Sequence, residues 1–399
     1  MSPGKILFQP ETSSDYEYCL SKKTEPNCKL QFSVHILVAV LVCNFIKSAL
    51  MLWTFWYRRE ETLVTFGDAI ASWLDNPDRL TRGDCLMSKD CASREFLRKR
   101  ARVNQDSEGI STVARRIRGV RFWGAAVSIK RWATTIAICA AAIGTTAQLL
   151  RMVTNKYYSD LTEAIASGNF GTVDPNLILE TNLPTHGAGG LIAATLVANS
   201  PQLILSFCYM LYNALFTYMH LACEFSAFAV QRKSLRVTTA RGKQRSTYWL
   251  QLPYTYALPL IFASAVLHWL ISQSIFLARI TDVVDEVGYG DLPLPETLTQ
   301  HPSNLGISVA PILACIVLAS LMLLAVIATG FRKLKSEMPV ASSCSFALAA
   351  ATHRPKDDHD AAVLPIKWGE IPTDGSEDVG HCCFTSQDVI DVLLRKKYA

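Results

Sequence analysis

The residues of this chain that could do chemistry fall in three places. The first is Val287-Gly288-Tyr289-Gly290-Asp291, which spells the core of a potassium filter, where backbone carbonyls from several loops replace an ion's hydration shell. Its surroundings argue against that chemistry. Glu286 stands where the filter carries threonine. Only about ten residues separate Leu277 from Gly288, too few for a re-entrant pore helix rising ~1.5 Å per residue. Asp282, Asp285 and Glu286 would also lie in hydrocarbon. Gly-Tyr-Gly reads more simply as a turn.

The second place is a set of polar residues inside apolar runs. Asn213 and His220 are seven apart, and His268, Ser272 and Gln273 follow one another at four and one, so each set shares roughly one helical face. Together these five are candidates for lining a polar path for a small molecule. The plainer reading, and the favoured one, is hydrogen bonding between helices, at about 0.6–2 kcal/mol per bond. Lys47 is the formal charge well inside an apolar run. It is close enough to one end to snorkel, and Glu224 is its candidate partner. Paired carboxylates inside the apolar runs are lacking, which argues against a proton-coupled pump and an acid-initiated membrane cyclase.

The third place is the C-terminal tail, with His353, Asp357, Asp358, His359, His381, Cys382 and Cys383. Zinc sites need closely set ligand pairs, and these spacings are irregular, so neither a metal nor another cofactor is expected. Cys382 and Cys383, beside Phe384, suit either palmitoylation or burial. There is no nucleophile elbow, phosphate loop or dinucleotide fingerprint. The chain is accordingly expected not to be an enzyme and not to bind nucleic acid.

The elements that carry these residues are membrane spans. Half of the 399 residues are hydrophobic and 18% are charged, the charges standing in blocks between long uncharged runs. No signal peptide precedes the first apolar run, which is expected to act as its own insertion signal. Five spans are predicted, at 34–56, 132–150, 202–223, 256–277 and 307–328. The second, rich in Ala and Thr, reads as a helix buried among others. Before the third, 191–198 is too short to cross alone and reads as a half-helix or interfacial piece, with Asn199 and Ser200 as N-cap residues and Pro201 in the first turn.

Charge orients the spans. The connection 57–131 carries sixteen Lys or Arg and 224–255 carries a cluster of six, Arg232, Lys233, Arg236, Arg241, Lys243 and Arg245, ahead of an aromatic belt of Tyr248, Trp249, Tyr254 and Tyr256. Arg332, Lys333 and Lys335 follow the last span, whereas 151–201 and 278–306 are poor in cations. The fold expected is therefore all-α, a polytopic helical membrane protein with its N-terminus outside and its C-terminus cytoplasmic. On that reading 1–33 is extracytoplasmic and holds Cys19 and Cys28, a candidate disulfide. In 57–131, a short helix is predicted over 65–74, ended by Asn76-Pro77-Asp78. The stretch from Arg94 to Arg131 is a candidate surface for anionic lipid, with a solvated loop that only sets topology as the plainer alternative. The tail 329–399 is expected to form short ordered pieces and no independent domain.

Several motifs add a resemblance: CLSKKTEPNCKLQFS (19–33), GDAIASWL (67–74), NSPQLILSFCYMLYNALFT (199–217), QRSTYWLQLPYTYALPL (244–260), LHWLISQSIFL (267–277), MPVASSCSFALAAATH (338–353), IKWGE (366–370) and VGHCCFTS (379–386). Together they resemble a family of fungal multi-pass membrane proteins known as a domain of unknown function. Longer members carry a further N-terminal membrane unit, and this chain looks like the part that follows it. The resemblance lends no catalytic residues. The function expected is a non-enzymatic scaffold or sensor in the plasma membrane. The alternative is an accessory to small-molecule transport linked to fungal secondary metabolism.

Overall fold

The computed structural model describes residues 34–57, 63–89, 91–92, 114–117, 119–166, 170–171, 177–179, 184, 187–279, 303–341, 343–372 and 379–399. Cys19 and Cys28, the 287–291 motif and all of 94–113 lie outside the described residues. The chain divides into two units, Met1–Thr62 and Leu63–Ala399.

In the first unit, helix α1 (Val34–Tyr57) has apolar residues exposed along its length, as a lipid-facing helix requires. Lys47 stands about 15 Å from its C-terminal end at 1.5 Å per residue.

The second unit is built on four long helices, α3 (Ile129–Tyr157), α5 (Gly187–Ser226), α6 (Tyr254–Ser274) and α7 (Val309–Gly330). With α1 these make five helices long and apolar enough to cross a membrane. Three of the four depart from the sequence expectation. The second predicted span extends well past 132–150 at both ends, and only Thr135, Leu150, Val153 and Thr154 are buried along it, so it is largely exposed rather than enclosed.

The predicted half-helix at 191–198 is continuous with the third span in α5, whose 40 residues contain Pro201. A proline cannot supply the N–H that would bond Val197 O. The Ser200 hydroxyl donates to that carbonyl instead, at 2.9 Å, and Asn199 Nδ2 donates to Thr195 O at 2.8 Å. The residues read as a helix start thus repair a helix interior. The fourth span stops at Ser274, and Ile275–Arg279 continues as strand β5.

Short strands make the fold mostly helical rather than purely so. At one end of the four helices β5 pairs antiparallel with β6 (Ser303–Ile307), which pairs antiparallel with β2 (Ile178–Leu179). A small core of Leu150, Val153, Leu177, Ile307, Val309 and Ile312 packs there. The other end carries a larger folded body, assembled from 63–92, 114–127, the chain after α5 and the tail. It contains α2 (Phe66–Asp75), β1 (Arg115–Arg116), β3 (Arg236–Val237), β4 (Arg245–Ser246), α8 (Ser345–Ala350), β7 (Lys367–Glu370), β8 (Val379–Gly380), β9 (Cys382–Thr385) and β10 (Lys397–Tyr398). The tail is not a separate domain: its short pieces share one core with the earlier segments, through Ile70, Leu74, Met87, Phe228, Leu235, Ile366 and Phe384.

Helix α2 matches its expectation. Thr65 caps it in a reciprocal box with Asp68, and Asn76 closes it. The Thr65 hydroxyl also donates to Arg236 O at 2.9 Å, and Asp68 accepts from Thr238 N at 2.7 Å. Gly67 lies so close to β3 that an added Cβ would stand 2.1 Å from Arg236 O, so only glycine allows this approach.

Candidate functional site

The four long helices of the second unit do not close completely on one another. Between them lies a cavity of about 290 Å³, reaching from Ile312 and Ser274 toward Tyr212 and Met322. Each helix contributes to its wall, and most of the wall is aliphatic. The small residues that leave this space, among them Ala142, Ser264 and Ala319, let backbones approach without filling the centre. Its polar groups are few. Thr146 and Ser274 each donate to the carbonyl four residues back in their own helix. Tyr212 donates to Met322 O at 2.9 Å, tying α5 to α7. Three cysteines, Cys139, Cys208 and Cys315, reach the cavity from three helices, and the thiols of Cys139 and Cys208 hydrogen-bond each other. With most of the wall aliphatic and Thr146, Ser274 and Tyr212 already hydrogen-bonded within the protein, the space suits an apolar molecule held by contact area rather than by charge.

None of the five residues predicted to line a polar path borders this cavity. His268 Nδ1 meets Gln202 Oε1 at 2.5 Å, and Gln202 Nε2 donates to His268 O at 3.0 Å, so the pair locks α6 to α5. Ser272 donates to Trp269 O of its own turn, and Gln273 Nε2 reaches Ser272 Oγ at 3.5 Å. Asn213 is half-buried on α5, where its carbonyl accepts from Thr217. His220 lies toward the other end of that helix, its ring between Trp123 (5.2 Å) and Tyr256 (4.1 Å). Its Nε2 is buried and has no hydrogen-bond partner among the described residues. Asn213 and His220 thus stand apart from the group at His268.

Where the helices meet the larger folded body, cations lie on aromatic faces. Arg131 stands 4.5 Å from the ring of Tyr218 and Arg332 4.5 Å from that of Trp123, while Arg332 also donates to Tyr256 OH at 2.8 Å. Ile129 and Phe331 are exposed beside them, and Trp249, in the predicted aromatic belt, is 98% exposed. Glu224 is held by Arg236 through one guanidinium edge, Nε and Nη2, at 3.1 and 2.7 Å.

The tail residues separate in role. Asp358 accepts from Thr385 Oγ1, Ser386 N and Ser386 Oγ, and Asp357 accepts from Gln387 Nε2. Among the described residues no group of three or more His, Cys, Asp or Glu could hold a metal ion. His353 Nε2 meets Thr81 Oγ1 at 2.8 Å, and burial pushes its pKa down to about 4. His381 has both ring nitrogens engaged and lies beside Cys85. Nothing local in the sequence marks Cys85, because its neighbour His381 arrives from the far end of the chain.

The sequence profile of a domain of unknown function, DUF8419, matches residues 65–398. No curated protein and no solved structure matches the chain.

Proposed function

The chain belongs to the DUF8419 family, and we propose that it is a non-enzymatic, multi-pass membrane component that holds an apolar small molecule between its spans. It would act as a sensor of that molecule or as an accessory to its transport. The observation that carries this reading is the cavity of about 290 Å³, walled by four helices and mostly aliphatic, with Tyr212 and Ser274 hydrogen-bonded within the protein. The resemblance to fungal membrane proteins makes a secondary metabolite the class of molecule proposed.

Cation-rich connections fix the orientation in this reading: N-terminus outside, C-terminus cytoplasmic, in the plasma membrane. Arg131, exposed Ile129 and exposed Trp249 support a headgroup-level collar on the cytoplasmic side, where anionic lipid would meet the basic stretch that ends at Arg131. Glycosylation tags test the orientation. Modification near Pro175 and none near Gly242 is expected, and the reverse would overturn it.

The cavity is tested by native mass spectrometry of protein extracted in mild detergent. A co-purifying apolar molecule is expected in the natural protein and should be lost from Ser264→Phe, which fills the space. Retention in that variant, or nothing bound beyond bulk lipid in the natural protein, would reject the reading. Asn213→Ala and His268→Ala are expected to keep the molecule. Its loss from these two variants would return attention to a polar path.

A further inference from the structure

We propose that Arg332, just past the end of α7, is the seat of a bound anionic glycerophospholipid, whose phosphate it holds through the Nε–Nη2 edge of its guanidinium. The site deepens the headgroup-level collar, and it rests on the reading that α3, α5, α6 and α7 cross a bilayer whose surface lies at this end.

An imbalance of charge points to it. In the folded body cations meet carboxylates: Arg236 holds Glu224 at 2.7 Å, Lys396 holds Glu370 at 2.6 Å and Lys367 holds Asp391 at 3.2 Å. At the start of α3 and the end of α7 they do not. Among the described residues none of Lys130, Arg131, Arg332, Lys333 and Lys335 pairs with a carboxylate. All five are exposed. Ile129 and Phe331, their neighbours in sequence, are exposed too, at 85% and 71%. Exposed cations next to exposed apolar side chains suit the boundary of an anionic leaflet, with phosphate above and hydrocarbon below.

Two of the five cations are fixed on rings, Arg131 over Tyr218 and Arg332 over Trp123, each 4.5 Å from the ring centre. Arg332 is fixed twice, because its Nη1 also donates to Tyr256 OH at 2.8 Å. Both anchors are themselves held. Trp123 Nε1 donates to Lys333 O at 3.1 Å and Trp123 N to Arg332 O at 2.8 Å, while the Tyr256 ring packs 4.1 Å from that of His220. The Nε and Nη2 groups of Arg332 have no partner among the described residues. Their two N–H bonds run parallel and match two oxygens of one phosphate or carboxylate.

Arg236 shows within this molecule what such an edge does. It too lies over a ring, 5.3 Å from that of Tyr248, and its Nη1 too donates to a hydroxyl, Thr247 Oγ1, at 2.9 Å. Its Nε and Nη2 then hold the two oxygens of Glu224, at 3.1 and 2.7 Å. Arg332 has the same ring and hydroxyl anchors, and no carboxylate of the described residues reaches it. A guanidinium already held in place loses little further freedom on binding, so Arg332 is the member of the cluster best prepared for an anion. The exposed Phe331 beside it makes a lipid, which supplies both phosphate and hydrocarbon, the occupant.

The test mixes the full chain in mild detergent with dioleoyl phosphatidic acid, or with phosphatidylcholine of the same acyl chains, and reads bound lipid by native mass spectrometry. The natural protein is expected to hold phosphatidic acid about tenfold more tightly than phosphatidylcholine. Arg332→Gln should abolish that preference. Arg332→Lys, which keeps the charge and loses the paired N–H edge, should remove most of it. Lys243→Gln, an equal loss of charge in the turn before β4, should leave it unaltered. Three results would overturn the proposal: an equal loss in Lys243→Gln, an Arg332→Lys variant that binds as the natural protein does, or displacement of the lipid by inorganic phosphate. The first two would mean attraction by charge alone, and the third a site for a soluble anion. Alkaline carbonate extraction separates the site from the spanning reading. Protein that stays in the membrane yet shows no lipid preference overturns the site alone, whereas protein released by carbonate overturns both.

Discussion

The bundle of four helices long and apolar enough to cross a membrane and the folded body beside it are held together in different ways. In the bundle most side-chain hydrogen bonds stay within one helix, such as Thr195 to Leu191 O and Thr329 to Ala325 O. Few tie one helix to another: Tyr212 to Met322 O, and the exchange between Gln202 and His268. Apolar side chains gain little by leaving lipid for protein, so close association rests on contact and a few such bonds, and an incompletely filled centre is tolerated. In the folded body buried polar groups bind partners far away in sequence. Arg354 Nε donates to Leu74 O at 2.8 Å, and Tyr398 OH donates to Glu370 at 3.1 Å. There the alternative to a protein partner is water, and a buried group left without either is costly, so these contacts specify one arrangement. The difference assigns the two regions different capacities: room for a molecule in one, fixed charge geometry in the other.

The largest effect should come from breaking the folded body. Asp358 is 4% exposed and accepts three hydrogen bonds from Thr385 and Ser386. Asp358→Ala is expected to cost about 3 kcal/mol, because buried donors lose a charged acceptor. Limited proteolysis should show the tail released while α3, α5, α6 and α7 remain protected. A variant that resists cleavage as the natural protein does would mean that the network is not what fixes the tail.

Acid should act on the same region. His353 faces His381, Asp78, Arg82 and Thr81, and burial lowers its pKa from 6.5 to about 4. A histidine depressed on folding contributes stability that is present above pH 6.5 and is lost as pH falls toward 4. Cys85, whose pKa is lowered by Cys382 and His381 against burial, adds stability that fades as pH falls, whereas His381, raised against burial by Cys85 and its two oxygen partners, adds stability that fades as pH rises. Melting temperatures should therefore drop as pH falls below 6.5, and His353→Phe should flatten the acid limb. A maximum near pH 5 would contradict the assignment.

Smaller effects are expected in the bundle. Ser200→Ala leaves Val197 O without its donor and should cost about 1 kcal/mol. Adding Pro201→Ala should restore most of that loss, since the new N–H can bond the same carbonyl. Strict additivity in the double-mutant cycle would exclude this repair. The smallest change should be Gln202→Ala, at about 0.6 kcal/mol, the typical worth of a hydrogen bond between membrane helices. A loss of 3 kcal/mol there would show that the bundle is specified as tightly as the folded body.

How much of this was legible follows the range of the interactions. Hydropathy along the chain determined that five helices can span a membrane, and the Thr65–Asp68 capping box determined where α2 begins. Both depend on residues within a few positions of one another. The same local logic misread Asn199-Ser200-Pro201, because a helix start and a repaired helix interior present the same three residues, and only packing along all of α5 separates them. Strands of two to five residues were invisible, since each exists only through a distant partner, as β1 does through β10. The cavity, the cation–aromatic contacts and the setting of His381 were decided by tertiary structure alone. A void is what side chains from four helices fail to fill, and the His381 ring is gripped by His353 and Ala399 from other parts of the chain, so neither is a property of any single segment.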